Sequence, residues 1–283
     1  MYTTIIHASQ LNQAARLNIE TLFSATLEER NDYHRICHPQ PVNRQNIRSL
    51  SGQLRIDINT LPIDFNPATA KLLVSDMDST LISIECIDEI ADHLGIKPQI
   101  AAITESAMCG EIDFTTSLLQ RVALLKGVSA AALELVYNER LQLNPGAEQL
   151  ISGLKQEGIK FCLVSGGFTF FTHRLQTRLK LDYAHANQLE IKENKLTGKL
   201  LGNIVDGKAK ADLLLSHCKQ LGISPNQVIS VGDGANDLLM MQQAGLSVAY
   251  HAKPAVQAKA STAINYGGLD SILHFLKESL IKS

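Results

Sequence analysis

Four short, nearly unbroken apolar runs constrain this chain most: Lys71–Ser75 (KLLVS), Ile159–Val164 (IKFCLV), Gln227–Val231 (QVISV) and Leu246–Ala249. Strands buried on both faces read this way, whereas strands with one wet face alternate apolar and polar residues. Helical patterns separate the runs, at Ala147–Gln156, Phe168–Leu179, Lys208–Gln220 and Ala235–Gln243. Buried strands alternating with helices imply a parallel sheet in an α/β domain. The alternation breaks once. From Glu85 to about Tyr137 the pattern is helical with no strand candidate, so residues 85–145 or thereabouts read as an inserted helical cap. The stretch around Gly198–Ile204 reads as a hairpin or an irregular crossover.

Residues 1–70 follow another rhythm and are expected to form a small N-terminal α+β domain, with an α/β domain over 71–283. Thr3–His7 is a strand candidate. Gln10–Leu27 is a helix candidate with Leu11, Ala15 and Leu22 near one face. Leu54–Asn59 (LRIDIN) has the period of two expected of a half-buried strand. Leu61–Ala68 holds two prolines and no period, and reads as a linker. His34, Cys37 and His38 are spaced to share a zinc ion on a helix, but no fourth ligand accompanies them and Pro39 would end the helix, so they are read as non-ligating. The remaining histidines show no pair at ligand spacing.

Composition narrows the class without naming a reaction. Lys and Arg total 26 against 28 Asp and Glu, which argues against a basic, nucleic-acid-binding surface. No apolar run approaches the ~18 residues that would span a bilayer, so no membrane segment is expected. The five cysteines are scattered and form no CxxC, as in a reduced, cytoplasmic protein. Association into a homodimer is left open.

The chemistry sits in the turns after the strands. Val74-Ser-Asp76-Met-Asp78 delivers two carboxylates one residue apart straight after a buried strand, where open α/β sheets place their ligands. Their mutual repulsion would be relieved by a divalent cation, and hard oxygen donors favour magnesium. A capped surface turn would also account for this pair. Val231-Gly-Asp233-Gly-Ala-Asn236-Asp237 repeats the arrangement, and Asp233 can complete an acidic cluster if the two strands are neighbours. Val164-Ser165-Gly166-Gly167 leads a third strand into a helix, whose unpaired N–H groups suit a phosphate. Ser165 as a simple helix cap is the alternative. Lys208 and Lys210 begin another helix, an electrostatically poor place for a cation unless it faces an anion.

In this order and spacing, DMDST, SGG, Lys210 followed by paired leucines, and GDGAND resemble the haloacid dehalogenase superfamily of aspartyl phosphotransferases, over Lys71 to about Leu276. The cap segment further resembles that of the phosphoserine phosphatases. The resemblance implies a Rossmann-like parallel sheet and a Mg2+-dependent covalent route. Asp76 would be the nucleophile and Asp78 the acid and then the base. Asp76, the Asp78 main-chain carbonyl and Asp233 would hold the metal, with Asp237 behind them. Ser165, Lys210 and Asn236 would hold the phosphate. P-type ATPases of this superfamily carry Thr at the position of Asp78, so the resemblance favours a hydrolase over a pump.

Substrate choice is expected from the cap. In Asp113–Leu125, Phe114, Leu118, Arg121 and Leu125 fall within ~60° of one another on a helical wheel, which puts Arg121 inside an apolar stripe. A guanidinium grips a carboxylate bidentately, and Glu85 offers the opposite charge, so the pair complements an amino-acid zwitterion. The resemblance assigns the same two positions to the substrate, with Met108 and Phe114 closing over it and Gly166 offering its carbonyl. It thereby implies release of L-serine and phosphate from phosphoserine, the last step of the phosphorylated serine route. Phosphohomoserine carries the same charges and stays open as a substrate. A non-catalytic amino-acid or phosphate sensor would need neither a nucleophile nor an acid. Asp88, Glu89 and Asp92 read as a solvated helix face.

Overall fold

The computed structural model describes residues 1–277, and of Met108 only the backbone. The N-terminal part is an antiparallel sheet of β1 (Tyr2–Ile6), β2 (Leu27–Glu29), β3 (His34–His38) and β4 (Ile58–Thr60), in the order β2-β3-β1-β4. Helices α1 (Gln13–Phe23) and α2 (Arg44–Leu54) pack on it through Ile19, Phe23, Ile47 and Leu50 against Ile6, Ile36 and Ile58. Ile5 and Tyr33 instead join the principal core of the chain.

That core is built on a second sheet. Its strands are β5 (Leu72–Ser75), β6 (Lys160–Phe168), β7 (Tyr183–Lys192), β8 (Lys195–Leu201), β9 (Val228–Gly232), β10 (Leu246–Tyr250) and β11 (Thr262–Ile264), in the order β11-β10-β9-β5-β6-β7-β8. All pairings are parallel except the β7–β8 hairpin. From β5 the chain moves to one side for β6 and β7, then returns to the other for β9, β10 and β11. The order therefore reverses at β5 and β9, and the crevice at their carboxyl ends is where such sheets bind ligands.

Between β5 and β6 lie α3 (Cys86–His93), α4 (Lys97–Met108), α5 (Phe114–Leu124) and α6 (Ala131–Leu135), a cap whose buried Leu118, Val122 and Leu133 continue the main core. Helices α7 (Ala147–Gln156) and α8 (Thr169–Leu179) cover one face of the sheet, and α9 (Gly207–Leu221) and α10 (Leu238–Gln243) the other. The short α11 (Pro254–Lys259) precedes β11, and α12 (Ile272–Lys277) packs beside α7. The two sheets meet at β4 and β11. The Asn59 carboxamide donates to the Ala263 carbonyl at 2.9 Å and accepts from its N–H at 2.8 Å, and the buried Asp57 carboxylate accepts from the N–H groups of Asn265, Tyr266 and Gly267. Among the described residues no helix is long and apolar enough to cross a membrane.

The structure corrects several expectations. The first helix is shorter than Gln10–Leu27: Asn12 caps its start, Ser24 in a left-handed conformation (φ 49°) ends it, and Leu27 opens β2. Its buried face is Ala15, Ile19 and Phe23, with Leu22 only partly buried and Leu11 ahead of the helix. LRIDIN is not one strand, because Leu54 ends α2, Arg55 (φ 55°) turns the chain, and β4 starts at Ile58. His34-Arg-Ile-Cys-His38 is a strand, with His34 Nδ1 2.7 Å from the Ala8 carbonyl and His38 Nδ1 2.7 Å from that of Gln40. The stretch read as a linker buries Leu61 and Phe65 in the main core. Finally, β6 runs through Ser165-Gly166-Gly167 and α8 begins only at Thr169, so Ser165 is a strand residue and caps no helix.

Candidate active site

Strand β5 is apolar up to Val74 and buried throughout, which brings its carboxyl end, and Asp76 just beyond, to the floor of the crevice. The Asp76 N–H donates to the Val231 carbonyl on β9, fixing the nucleophile candidate between the two central strands. Asp76 Oδ1 accepts from the Met77 N–H at 2.7 Å and from Lys210 Nζ at 2.8 Å. Lys210, in the first turn of α9, is wholly buried and also reaches Asp237 Oδ1 at 2.7 Å. The lysine that looked misplaced at a helix N-terminus is therefore held by two carboxylates. Lys208, two residues earlier, is exposed to solvent.

Asp78 lies in an irregular turn, Met77–Leu81, in which Ser79 adopts a left-handed backbone (φ 54°), a conformation costing an ordinary residue about 1 kcal/mol. Asn144 supports it by donating its Nδ2 to the carbonyls of Thr80 (2.8 Å) and Ile82 (3.0 Å) and, at 3.4 Å, to that of Ser79. The Ser79 hydroxyl donates to Glu85 Oε1 at 2.7 Å. One oxygen of Asp78 accepts from the Cys86 N–H at 2.9 Å and the other lies 3.4 Å from Ser165 Oγ. Ser165 Oγ in turn accepts from the Gly167 N–H at 2.8 Å. Neither glycine after Ser165 has room for a methyl group. A Cβ on Gly167 would come 2.7 Å from Asp78 Oδ2, and one on Gly166 2.9 Å from Phe114 Cζ. The second contact places the first residue of α5, in the cap, directly over the end of β6.

Asp233 and Asp237 follow β9. The carboxylates of Asp76, Asp233 and Asp237 place oxygens within 4.8 Å of one another. Asp233 Oδ1 accepts from Thr80 Oγ1 at 3.2 Å, and Asp237 Oδ2 from the Gly234 N–H at 3.1 Å. Burial, followed by the neighbouring Asp237, holds Asp76 well above the usual carboxylate range against the opposing pull of Lys210. Burial also raises Asp78, the Cys86 N–H opposing it. Asp233 is pushed up to about 6 by burial and by Asp237. Burial alone would lower the Lys210 ammonium, but Asp237 and Asp76 outweigh it and hold the group above the ordinary lysine value. With all three carboxylates ionised, one ammonium leaves two negative charges without compensation. A divalent cation with a preference for oxygen donors fits this donor set in charge and in chemistry.

These groups open into a cleft of about 780 Å³ between the sheet and the cap. Glu85 and Arg121 both line it, as do Phe114, Gly166 and Asn236. Burial and the Asp78 charge push Glu85 up to about 7. Burial lowers the Arg121 guanidinium, while Asp88 and Glu85 favour its charged form. Asp88 thus faces the cleft instead of the solvated side expected for it, whereas Glu89 and Asp92 lie within ion-pair reach of Arg140. Met108 ends α4, and its side chain lies outside the described residues. The Gly166 carbonyl accepts from Asn187 Nδ2 at 2.8 Å, leaving one lone pair for a ligand.

The sequence reading missed the supports. Asn187 and Asn144 carry no motif of their own, and Ser79 and Thr80, though inside DMDST, were given no role, since each acts through hydrogen bonds to groups set by the fold. Asn187 is buried and its Oδ1 accepts from the Val205 N–H at 2.8 Å, tying the end of β6 to the loop that leads into α9 and Lys210.

Residues 70–245 match the haloacid dehalogenase-like hydrolases. A phosphoserine phosphatase of Polaromonas sp. strain JS666 is 56% identical over 225 residues, covering 78% of this chain and 95% of that protein. The crystal structure of a HAD-family hydrolase from Salmonella enterica serovar Typhi superposes with a TM-score of 0.91 at 34% identity, covering 98% of this chain and 99% of the other. The unliganded crystal structure of a probable phosphoserine phosphatase from Vibrio cholerae superposes with a TM-score of 0.85 at 38% identity, covering 99% and 87%.

Proposed function

The chain belongs to the haloacid dehalogenase-like hydrolase family, and from that premise we infer its reaction: it is a phosphoric monoester hydrolase that cleaves O-phospho-L-serine to L-serine and inorganic phosphate. The observation that carries the substrate is a single cleft in which Asp76 and Asp78 stand together with Glu85 and Arg121. The first pair handles the phosphoryl group. The second offers a carboxylate to the serine ammonium and a guanidinium to its carboxylate. A sensor would have no use for a buried nucleophile beside an acid.

In our reading, the Asp76 carboxylate attacks phosphorus and forms an acyl phosphate as the serine oxygen departs, splitting one hard step into two. Asp78, whose proton affinity burial raises, gives its proton to that oxygen. The resulting Asp78 carboxylate then takes a proton from the water that attacks phosphorus, releasing phosphate and restoring Asp76. Lys210 neutralises Asp76 before attack and the phosphoryl oxygens during it, while Ser165 and Asn236 position those oxygens. A divalent cation, magnesium in this reading, would be held by Asp76, Asp233 and the Asp78 main-chain carbonyl, with Asp237 orienting the set, and it supplies the positive charge that lets a carboxylate approach a phosphate dianion. The division of the chain at about residue 70 belongs to the same reading, with catalysis assigned to the C-terminal part.

The test is phosphate release from O-phospho-L-serine, phosphohomoserine, O-phosphoethanolamine and sugar phosphates, with and without Mg2+. The highest kcat/KM is expected for phosphoserine, and only with metal. A several-fold preference for phosphohomoserine would overturn the substrate. Retained activity in Asp76→Asn would overturn the covalent route.

A further inference from the structure

On the α9 side of the sheet three soft donors converge, none of them used in the reaction above. Cys162 lies on β6, His185 on β7 and His217 on α9. The β6–β7 register pairs Cys162 with Tyr183 and Val164 with His185, so the period of two turns Cys162 and His185 to the same face. Helix α9 packs on that face and brings His217 down onto it. His185 Nε2 and His217 Nε2 are 2.8 Å apart, and one donor atom from each of the three residues lies within 4.8 Å of the other two. The Tyr183 ring packs on the His217 imidazole with centroids 4.2 Å apart, which fixes the ring plane. Cys162 is fully buried and His217 nearly so, while His185 is only partly buried.

We propose that Cys162, His185 and His217 form a second metal site, separate from the carboxylate cluster, that takes a thiophilic divalent ion of the zinc type with water as fourth ligand. One thiolate with two imidazoles is a donor set that zinc and cobalt(II) prefer and that magnesium, a hard oxygen-seeking ion, does not. The carboxylate cluster can also take such ions, so the thiolate is the donor that marks the second site. Burial lowers the proton affinity of both histidines, which keeps their nitrogen lone pairs available. Burial raises the Cys162 thiol, but a coordinated thiol is deprotonated outright and its proton leaves to solvent as the metal binds. An ion here would clip α9 to β6 and β7. Cys162 lies three residues before Ser165, and His217 about two helical turns after Lys210. The clip would therefore stiffen the two elements assigned to hold the phosphate.

The experiment uses the full chain, stripped with chelator and saturated with Mg2+ to fill the carboxylate cluster. On titration with Co2+ we expect one equivalent to bind with a thiolate-to-cobalt charge-transfer band in the near ultraviolet, and Zn2+ to bleach it. Cys162→Ser should abolish the band while circular dichroism and phosphatase activity with Mg2+ persist. His185→Gln, at the least buried of the three positions, should keep the fold and weaken Co2+ binding at least ~10-fold, as losses around metal sites commonly do. No thiolate band in the wild-type chain overturns the proposal. So does a band that survives Cys162→Ser, or unchanged affinity in His185→Gln. If Cys162→Ser does not fold, the His185→Gln titration decides alone.

Discussion

Lys210 Nζ lies 2.8 Å from Asp76 Oδ1 with both side chains withdrawn from solvent, so the proposed nucleophile sits beside its own counter-charge. Removing one partner of such a pair leaves the other as a buried charge with nothing to answer it. Lys210→Met is expected to destabilise the fold by about 3 kcal/mol at neutral pH. It should also lower kcat by on the order of 10²–10³, the usual effect of losing one electrostatic donor to a transition state. Chemical denaturation and steady-state phosphate release measure the two. Wild-type turnover in this variant would remove Lys210 from the mechanism.

Arg121 is the residue to probe for substrate choice, because one end of the substrate can be deleted to match the side chain. Arg121→Met should reduce kcat/KM for phosphoserine by roughly 30-fold, the worth of about 2 kcal/mol of charge-assisted hydrogen bonding. O-phosphoethanolamine, which has no carboxylate, should lose almost nothing. Equal losses on both substrates would mean that the arginine supports the cap rather than the ligand.

Gly167 approaches Asp78, the proposed acid, closely enough that a methyl group must displace it. A Cβ there would sit 2.7 Å from Asp78 Oδ2 and 3.0 Å from Ser165 Oγ. Gly167→Ala should therefore cut kcat by about 10²-fold, the scale of a 1 Å misplacement, while KM moves little. A larger change in KM than in kcat would place the damage in substrate binding.

Metal dependence should carry a pH signature. In the metal-free protein Asp233 keeps its proton up to about 6, against 3.8 for the free carboxyl. The folded state then binds more protons than the unfolded state between those values, so this group's contribution to stability declines as pH rises through that window. A bound cation favours the carboxylate and reverses the preference. The rise in Tm on adding Mg2+ should be small at pH 5 and several-fold larger above pH 7, as thermal unfolding can record. An equal rise at both pH values would contradict the carboxylate cluster as the binding site.

The candidate site was legible because its residues sit in turns whose position the strand pattern dictates. Asp76, Asp78 and Asp233 follow apolar runs, and a parallel sheet leaves such residues only one place to go. Their supports were illegible for the converse reason. Asn144 and Asn187 hold main-chain groups more than twenty residues away in sequence or across the sheet, and nothing local distinguishes them from surface amides. Periodicity also failed where tertiary contacts override it. Asp57 sits at a polar position of LRIDIN, yet it is buried because three N–H groups of another strand's loop meet its carboxylate. Cys162, His185 and His217 are separated along the chain by intervals that spell no motif, and only the β6–β7 register and the packing of α9 unite them.

The carboxamide of Asn59 against Ala263 has a meaning beyond holding two sheets together. Strand β11 is the outermost of a parallel sheet, and an outermost strand offers a row of N–H and C=O groups on which another molecule's strand can grow. Asn59 imitates one residue of a further strand, answering both main-chain groups of Ala263 at once, and Asp57 silences the three N–H groups that follow Asn265 onward. The N-terminal sheet thereby occupies main-chain groups that an outermost strand would otherwise offer to another strand, and it does so with two side chains in place of a paired strand.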